Sequence, residues 1–386
     1  MVQLLKRVVF ACIFWFVLDG PAMADALSAA KLAYDSGSYA KAAKLIKPLA
    51  QQGEPAAQFM LGGMYVRGQG VAQDVKQALK WYKLAAEQGN TSAQFTLGMM
   101  YHRGKIVHTD GKEAVKWYQL AAEGGNVTAP FILGLIYSKG QGVPQDYGQA
   151  VKWYRLAAEK GNDSAQFNLG WMYSTGQGVP QDYKEAVKWF QLSADQGDAL
   201  AQWNLGLMYD KGHGVPQDYK EAVKWYQLAA NQGNASAQFN LGLMYDKGKG
   251  VPQDYVEKLK WLQMAAEQGD ASAQLNLGLM YEGGRGVAQD YNEAVKWYWS
   301  SAVQGDVAAQ SNLGWMYAKG QGVPQDYVQS YMWFDIATMH AESEEHGVLL
   351  VVRNSMAAFM TAKQVRQAQV LAKKCIENKY KSCYRK

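Results

Sequence analysis

Residues 162–197 read NDSAQFNLGWMYSTGQGVPQDYKEAVKWFQLSADQG, and the fold follows from this stretch. Asn162 or Asp163 supplies a helix cap, because an Asx side-chain oxygen accepts an orphan N–H of the first turn. Ser164 to Tyr173 then brings Leu169, Met172 and Tyr173 onto one stripe beside Gly170. Gly176-Gln177-Gly178-Val179-Pro180-Gln181 breaks that helix and turns the chain. Asp182 caps a second helix, Tyr183 to Gln196, with Glu185 three residues on as a capping box. Tyr183, Ala186, Val187, Phe190 and Ala194 fall on one side of it, with Trp189 at the edge. Gly197 before Asp198 is a helix stop followed by a helix start. The stretch therefore predicts a helix hairpin.

The hairpin recurs with a step of 36 residues. The step links Trp81, Trp117, Trp153, Trp189, Trp225, Trp261, Trp297 and Trp333. It also links Gly62, Gly98, Gly134, Gly170, Gly206, Gly242, Gly278 and Gly314. Glycine inside a helix costs ~1 kcal/mol relative to alanine. Its return at one position in every repeat implies a partner helix pressing where no side chain fits. The alanine pair, such as Ala229 and Ala230, permits the same approach. A mostly buried Trp or Tyr contributes ~2–3 kcal/mol, so the aromatic ladder offsets the glycines. A constant period of this length is the signature of stacked hairpins in a solenoid.

The repeated run Ala-Gln-Phe-Asn-Leu-Gly-x-Met-Tyr, then Gly-x-Gly-Val-Pro-Gln-Asp-Tyr, then Ala-Val-Lys-Trp-Tyr-x-x-Ala-Ala-x-x-Gly resembles the Sel1-like repeat, a relative of the tetratricopeptide repeat. The resemblance covers about residues 26–378. It implies an all-α, α/α superhelical solenoid of about eight to nine hairpins, acting as an adaptor or scaffold that binds a protein or an extended peptide. By position it places Asn168, Asn204, Asn240, Asn276 and Asn312 on a concave face formed by the first helices, each amide offering a donor and an acceptor. Three residues on come Trp171, Leu207, Leu243, Leu279 and Trp315 as apolar anchors. One turn further stand Ser174, Asp210, Asp246, Glu282 and Ala318. The alternative places the Asn side chains as braces of their own helices and the Leu residues as core.

Three departures mark individual repeats. Gly104-Lys105-Ile106-Val107-His108-Thr109 lacks the second loop glycine, Pro130 replaces the usual Gln, and Lys258 stands where the second helix carries Ala. The second and third repeats are therefore expected to stack differently from the rest.

The ends read as an export signal and caps. Lys6 and Arg7 precede an apolar run, Val8 to Val17, broken at Asp19-Gly20-Pro21 and followed by Ala22-Met23-Ala24. This pattern predicts a secretory signal over residues 1–24, cleaved before Asp25. An uncleaved anchor and lipidation at Cys12 are the alternatives. The run is short for a span of ~20 residues, and Cys12 lies inside it rather than after it. A divergent first hairpin is expected over 25–54, with Tyr34, Gly37 and Tyr39 in tetratricopeptide-like places. The solenoid is expected over 55–336 and a helical cap and tail over 337–386. Thr361 to Gln364 reads as a capping box opening a last helix, with Val365, Ala368, Leu371 and Cys375 inward and Arg366, Lys373 and Lys374 outward.

The formal net charge is +5, with both signs mixed along the chain. Two basic and one acidic residue leave with the signal, giving +4. This is a solvated surface rather than a nucleic-acid footprint. No further apolar run of membrane length follows the leader. Cys375 and Cys383 remain after cleavage, so the fold cannot rest on a disulfide framework, and the two form one late bridge or stay free.

No catalytic constellation stands out. His102, His108, His213, His340 and His346 are scattered, and no metal or other cofactor is expected. His340 and His346 beside Glu342, Glu344 and Glu345 read as a charged linker rather than a metal site. The Gly-x-Gly loops lack a following Lys-Ser or Lys-Thr and read as turns, not phosphate cradles. Asn90, Asn126, Asn162 and Asn234 match glycosylation sequons, but each falls at a helix-capping position. The enzyme alternative is a β-lactamase-like or penicillin-binding hydrolase. Members of that type carry a disulfide in most repeats, and the repeats here carry none.

Overall fold

The computed structural model describes residues 20–104, 108–380 and 383. The apolar run of the leader and loop residues 105–107 lie outside that range, while residues 22–24 fall in the first helix. The described residues form 20 helices and no strand, the all-α solenoid expected from the period.

The chain divides into two compact units at Asp182/Tyr183. The N-terminal unit holds α1 (Gly20–Asp35), α2 (Tyr39–Gln51), α3 (Pro55–Arg67), α4 (Val75–Glu87), α5 (Thr91–Arg103), α6 (Gly111–Glu123), α7 (Ala129–Lys139), α8 (Tyr147–Glu159) and α9 (Asp163–Thr175). The C-terminal unit holds α10 (Tyr183–Asp195), α11 (Ala199–Lys211), α12 (Tyr219–Asn231), α13 (Ala235–Lys247), α14 (Tyr255–Glu267), α15 (Ala271–Gly283), α16 (Tyr291–Ala302), α17 (Val307–Lys319), α18 (Tyr327–His340), α19 (Ser343–Ala357) and α20 (Ala362–Glu377). Within each unit every helix packs on the next, save that α20 packs on α18.

The caps form where the Asx residues stand. Asn90 Oδ1 accepts from the Ala93 N–H at 2.9 Å, Asn162 from Ala165 at 2.7 Å and Asn234 from Ala237 at 2.8 Å. Asn126 accepts from both Thr128 and Ala129. Asn90, Asn162 and Asn234 are thus helix caps as expected, whereas α7 starts late, with Thr128 at its N-cap, and Asn126 holds the turn before it. Every loop Gln that follows closes the helix before it: Gln217 Nε2 donates to the Asp210 carbonyl at 2.7 Å, and Gln253 to that of Asp246 at 2.6 Å. The second loop glycine is a contact as well as a turn. Gly178 sits at φ +74°, and a Cβ there would lie 2.4 Å from the Tyr147 carbonyl oxygen, so the loop rests on the backbone that opens α8.

The expected capping box at the second helices forms only by half. Asp218 accepts from the Lys220 and Glu221 N–H groups, but its own N–H donates to the Tyr209 carbonyl, and Glu221 turns to Lys224 at 3.2 Å. Asp290 and Glu293 behave alike. The Tyr carbonyl of the preceding helix reaches the cap N–H first. At Thr361 no such carbonyl competes, and both halves of the box form.

Helical glycines meet the aromatic of the partner helix. A Cβ at Gly206 would lie 2.6 Å from the Tyr226 ring, and one at Gly278 2.4 Å from the Tyr298 ring. Tyr226 and Tyr298 are fully buried. Trp189, read as an edge residue, is buried, with Lys188 Nζ 5.5 Å from its ring centroid. The Trp side chain therefore packs under a lysine stem instead of standing at the boundary.

A glutamine ladder joins neighbouring repeats. In the C-terminal unit Gln202 donates to the Ala194 carbonyl and accepts from Gln232 at 2.8 Å. Gln238 with Gln268 and Gln274 with Gln304 repeat this. His340 takes the donor's place at the last step, its Nδ1 3.2 Å from Gln310 Oε1. In the N-terminal unit the ladder breaks. Gly124 stands where the donor Gln belongs, leaving Gln94 Oε1 buried without a partner, and Pro130 removes the next acceptor. α7 is also short, 11 residues against 13 for α5 and α9. The departures read in the second and third repeats thus coincide with lost inter-repeat bonds.

The C-terminal cap encloses α18. Val328 to Thr338 is buried without interruption between α17, α19 and α20, as expected of a helix with no polar stripe. Asp335 pairs with Arg353 at 2.7 Å, His346 Nδ1 lies 2.8 Å from the Thr338 carbonyl, and Cys375 and Cys383 are joined in a disulfide. Ala368 and Cys375 of α20 are buried and Arg366, Lys373 and Lys374 exposed.

Candidate functional site

The first helix of each repeat buries its Ala, Gln, Leu, Gly and Met positions against its neighbours. What it leaves outward is a row of apolar side chains. In the C-terminal unit the row is Leu207 and Leu243, half-buried, then Leu279 and Trp315, 46% and 37% exposed. In the N-terminal unit Trp171 is 45% exposed, with Met99 and Leu135 half-buried at the same register.

The Asn ladder is less free than the sequence suggested. Asn168, Asn204 and Asn276 donate one side-chain N–H to the carbonyl four residues back, of Ser164, Leu200 and Ser272. Asn204 is itself buried. Asn240 faces the Tyr226 hydroxyl, and Asn312 is half-buried. Asn168, Asn204 and Asn276 brace their own helices, which leaves Asn168 and Asn276 with only part of their hydrogen-bonding capacity for a guest.

Sequence reasoning missed a second feature. In several repeats a residue near the end of the first helix is matched to the second helix. Ser138 lies 3.1 Å from the Tyr154 hydroxyl. Glu282 accepts from Tyr298 at 2.5 Å. Asp210 and Tyr226 occupy the same two places. Where the aromatic is Phe334, with no hydroxyl, the partner is Ala318. Where it is Leu262, Lys258 fills the space and places its ammonium 2.8 Å from Asp246. The signal in the sequence is partial: Ser138 with Tyr154, Asp210 with Tyr226, Glu282 with Tyr298, Ala318 with Phe334 and Asp246 with Lys258 fit the pattern, whereas Val66 with Tyr82, His102 with Tyr118 and Ser174 with Phe190 do not.

Burial raises several of these phenols. The Tyr118 hydroxyl is pushed up to about 12 by loss of solvent. Tyr226 and Tyr298 lie higher still through burial, reinforced by the Asp210 and Glu282 carboxylates respectively. A raised folded-state value leaves stability intact below the unfolded value of ~10 and removes it as pH rises above that. The midpoint of thermal unfolding is therefore expected to hold to about pH 10 and to fall steeply toward pH 12. Melts followed by circular dichroism against pH check this, and a flat midpoint to pH 12 contradicts it.

A model of the Sel1 repeat matches residues 55–90, 91–126, 129–162, 163–198, 199–234, 235–270, 271–306 and 307–340. The chain is similar to a protective antigen present in uropathogenic Escherichia coli strains, c5321, which displays an SLR fold. Identity is 34%, with 94% of this chain and 85% of that chain covered and a TM-score of 0.62. It is also similar to a Sel1 repeat protein from Oxalobacter formigenes, at 35% identity over 80% of this chain and 88% of that one, with a TM-score of 0.68. A comparison with curated proteins finds no match. Eight consecutive matched repeats, filled by the glycine–aromatic contacts and Asx caps described above, make the chain a member of the Sel1 repeat family.

Proposed function

We propose that the chain is an exported scaffold that holds a protein or an extended peptide against the first helices of its repeats. Sel1 repeat proteins generally serve as protein-interaction scaffolds. The observation that carries the reading here is the outward apolar row: Leu207, Leu243, Leu279 and Trp315 in the C-terminal unit, and Trp171 in the N-terminal one. Leu207 packs partly on the core and Trp315 meets the Phe334 ring, but Leu279 and Trp171 stand largely outward, where folding alone does not call for apolar side chains. A guest would lie on the hollow side of the solenoid, with Asn240, Asn276 and Asn312 beside the row and Asn168 beside Trp171. Export rests on the leader over residues 1–24. Among the described residues no helix is long and apolar enough to cross a membrane.

Photocrosslinking in the living cell tests both parts. A crosslinker at position 207 or 243 is expected to trap protein adducts that the exposed control Lys224 does not, on a chain beginning at Asp25. Equal adducts from all three positions would end the groove reading. A chain that keeps residues 1–24 would end the cleaved-export reading.

A further inference from the structure

The glutamine ladder ends under the tail of the chain. Gln310, fully buried, donates to the Ala302 carbonyl at 3.0 Å and has His340 Nδ1 3.2 Å from its oxygen. It also donates to the Tyr380 hydroxyl at 3.4 Å, and the Tyr380 ring lies 6.4 Å from that of His340. A turn that the local sequence does not favour brings Tyr380 there. α20 ends at Glu377, and Lys379 and Tyr380 follow at φ +48° and +66°. Among the described residues no other non-glycine residue has a positive φ. A Cβ disfavours this region, and the chain elsewhere gives it to glycine, as at Gly320 with φ +69°. The Tyr380 N–H reaches the Cys375 carbonyl at 2.7 Å, but the Cys383 N–H reaches the Tyr380 carbonyl only at 3.4 Å. Such a turn persists where its surroundings over-determine it. The Cys375–Cys383 disulfide spans it, with Cα atoms 5.0 Å apart and both residues buried in the core of the cap.

We propose that this disulfide is a redox latch on the C-terminal cap. Oxidised, it holds the left-handed turn and seats Tyr380 on the last rung of the ladder. Reduced, it lets Lys379 and Tyr380 relax and leaves Gln310 and His340 without their cover. The cap is then closed in an oxidising compartment and open in a reducing one. Closing joins the two sulfurs and passes two electrons and the two thiol protons to a disulfide oxidant, which leaves as a dithiol. Opening is the reverse exchange: a dithiol gives up two electrons and two protons, Cys375 and Cys383 return to thiols, and the reductant becomes a disulfide. The latch acts at the end of the C-terminal unit and does not depend on where a guest lies.

Hydrogen exchange of the full chain, read by mass spectrometry, tests the latch. The oxidised chain is compared with the chain reduced by dithiothreitol and with Cys383→Ser, which cannot form the bond. Both unbridged forms are expected to exchange the amides of residues 375–380, and of residues 337–340 at the end of α18, about tenfold faster or more, with the N-terminal unit unchanged. Oxidised glutathione is expected to restore slow exchange in the reduced chain and not in Cys383→Ser. Lys379→Gly added to Cys383→Ser removes part of the conformational cost of the turn and is expected to recover part of the lost protection. Equal exchange with and without the bridge overturns the proposal. So does a tail that loosens while the end of α18 stays protected, or a loss of protection spread through every repeat.

Discussion

Lys258→Ala is expected to destabilise the C-terminal unit by about 2–3 kcal/mol, and Leu262→Tyr added to it is expected to restore most of the loss. Lys258 keeps 9% of its side chain exposed, and its ammonium lies 2.8 Å from Asp246, itself 28% exposed. Removing the lysine leaves a carboxylate with little water and no counter-charge, together with a hole beside Leu262. A fully buried orphaned charge costs about 3–5 kcal/mol. The partial exposure of Asp246 lowers that figure. The double variant rebuilds what its neighbours already have: Ala222 with Tyr226 and Ala294 with Tyr298. The new phenol would donate to Asp246 as Tyr298 does to Glu282. Gly242, where a Cβ would meet the flexible Leu262 side chain at 3.1 Å and the Lys258 carbonyl oxygen at 3.5 Å, is the position that accommodates a ring in the other repeats. Urea unfolding of the full chain, followed by circular dichroism, checks the pair. A double variant no more stable than Lys258→Ala would show that the co-variation across repeats has no energetic content.

The sequence carried what is local and what is periodic. Asx caps, left-handed glycines and the loop break act within a few residues, so their chemistry can be read from one repeat. The pressing of Gly206 on Tyr226 acts between helices, yet repetition exposes it, because a costly glycine kept in every copy demands a partner. Choices among competing partners were not legible. The cap N–H of Asp218 goes to the Tyr209 carbonyl instead of Glu221, and nothing in a single repeat ranks those two acceptors. The Asn side chains turn back on their own helices for the same reason: the carbonyl four residues earlier is always within reach. The glutamine ladder joins residues 30 apart, Gln202 to Gln232 for example. Only the register of stacked repeats brings them together, so it waited for the structure.

Gly62→Ala and Gly63→Ala, neighbours in α3, are expected to move stability in opposite directions. Both exchanges relieve the helix of a glycine, worth ~1 kcal/mol in favour of alanine. They differ in what the new methyl meets. At Gly63 the nearest atoms are the Arg67 guanidinium at 3.4 Å and the Tyr82 hydroxyl at 3.5 Å, and the former is the tip of a flexible chain. The gain should survive nearly whole. At Gly62 the methyl would lie 2.8 Å from two carbons of the Tyr82 ring, and overpacking of this kind costs about 1–3 kcal/mol. Gly278→Ala is the extreme case. Its methyl would lie 2.4 Å from the Tyr298 ring, which is fully buried and tied through its hydroxyl to Glu282 at 2.5 Å. With neither end of that ring free to swing, the clash outweighs the helix gain, and a net loss of about 1–2 kcal/mol is expected. Gly242→Ala, facing Leu262, should fall between the extremes because a leucine can change rotamer. Chemical denaturation of the four variants orders them: Gly63 above wild type, then Gly242, Gly62 and Gly278 below. If Gly62→Ala and Gly63→Ala shift the midpoint alike, the glycines are not kept for close approach, and the stacking argument built on them fails.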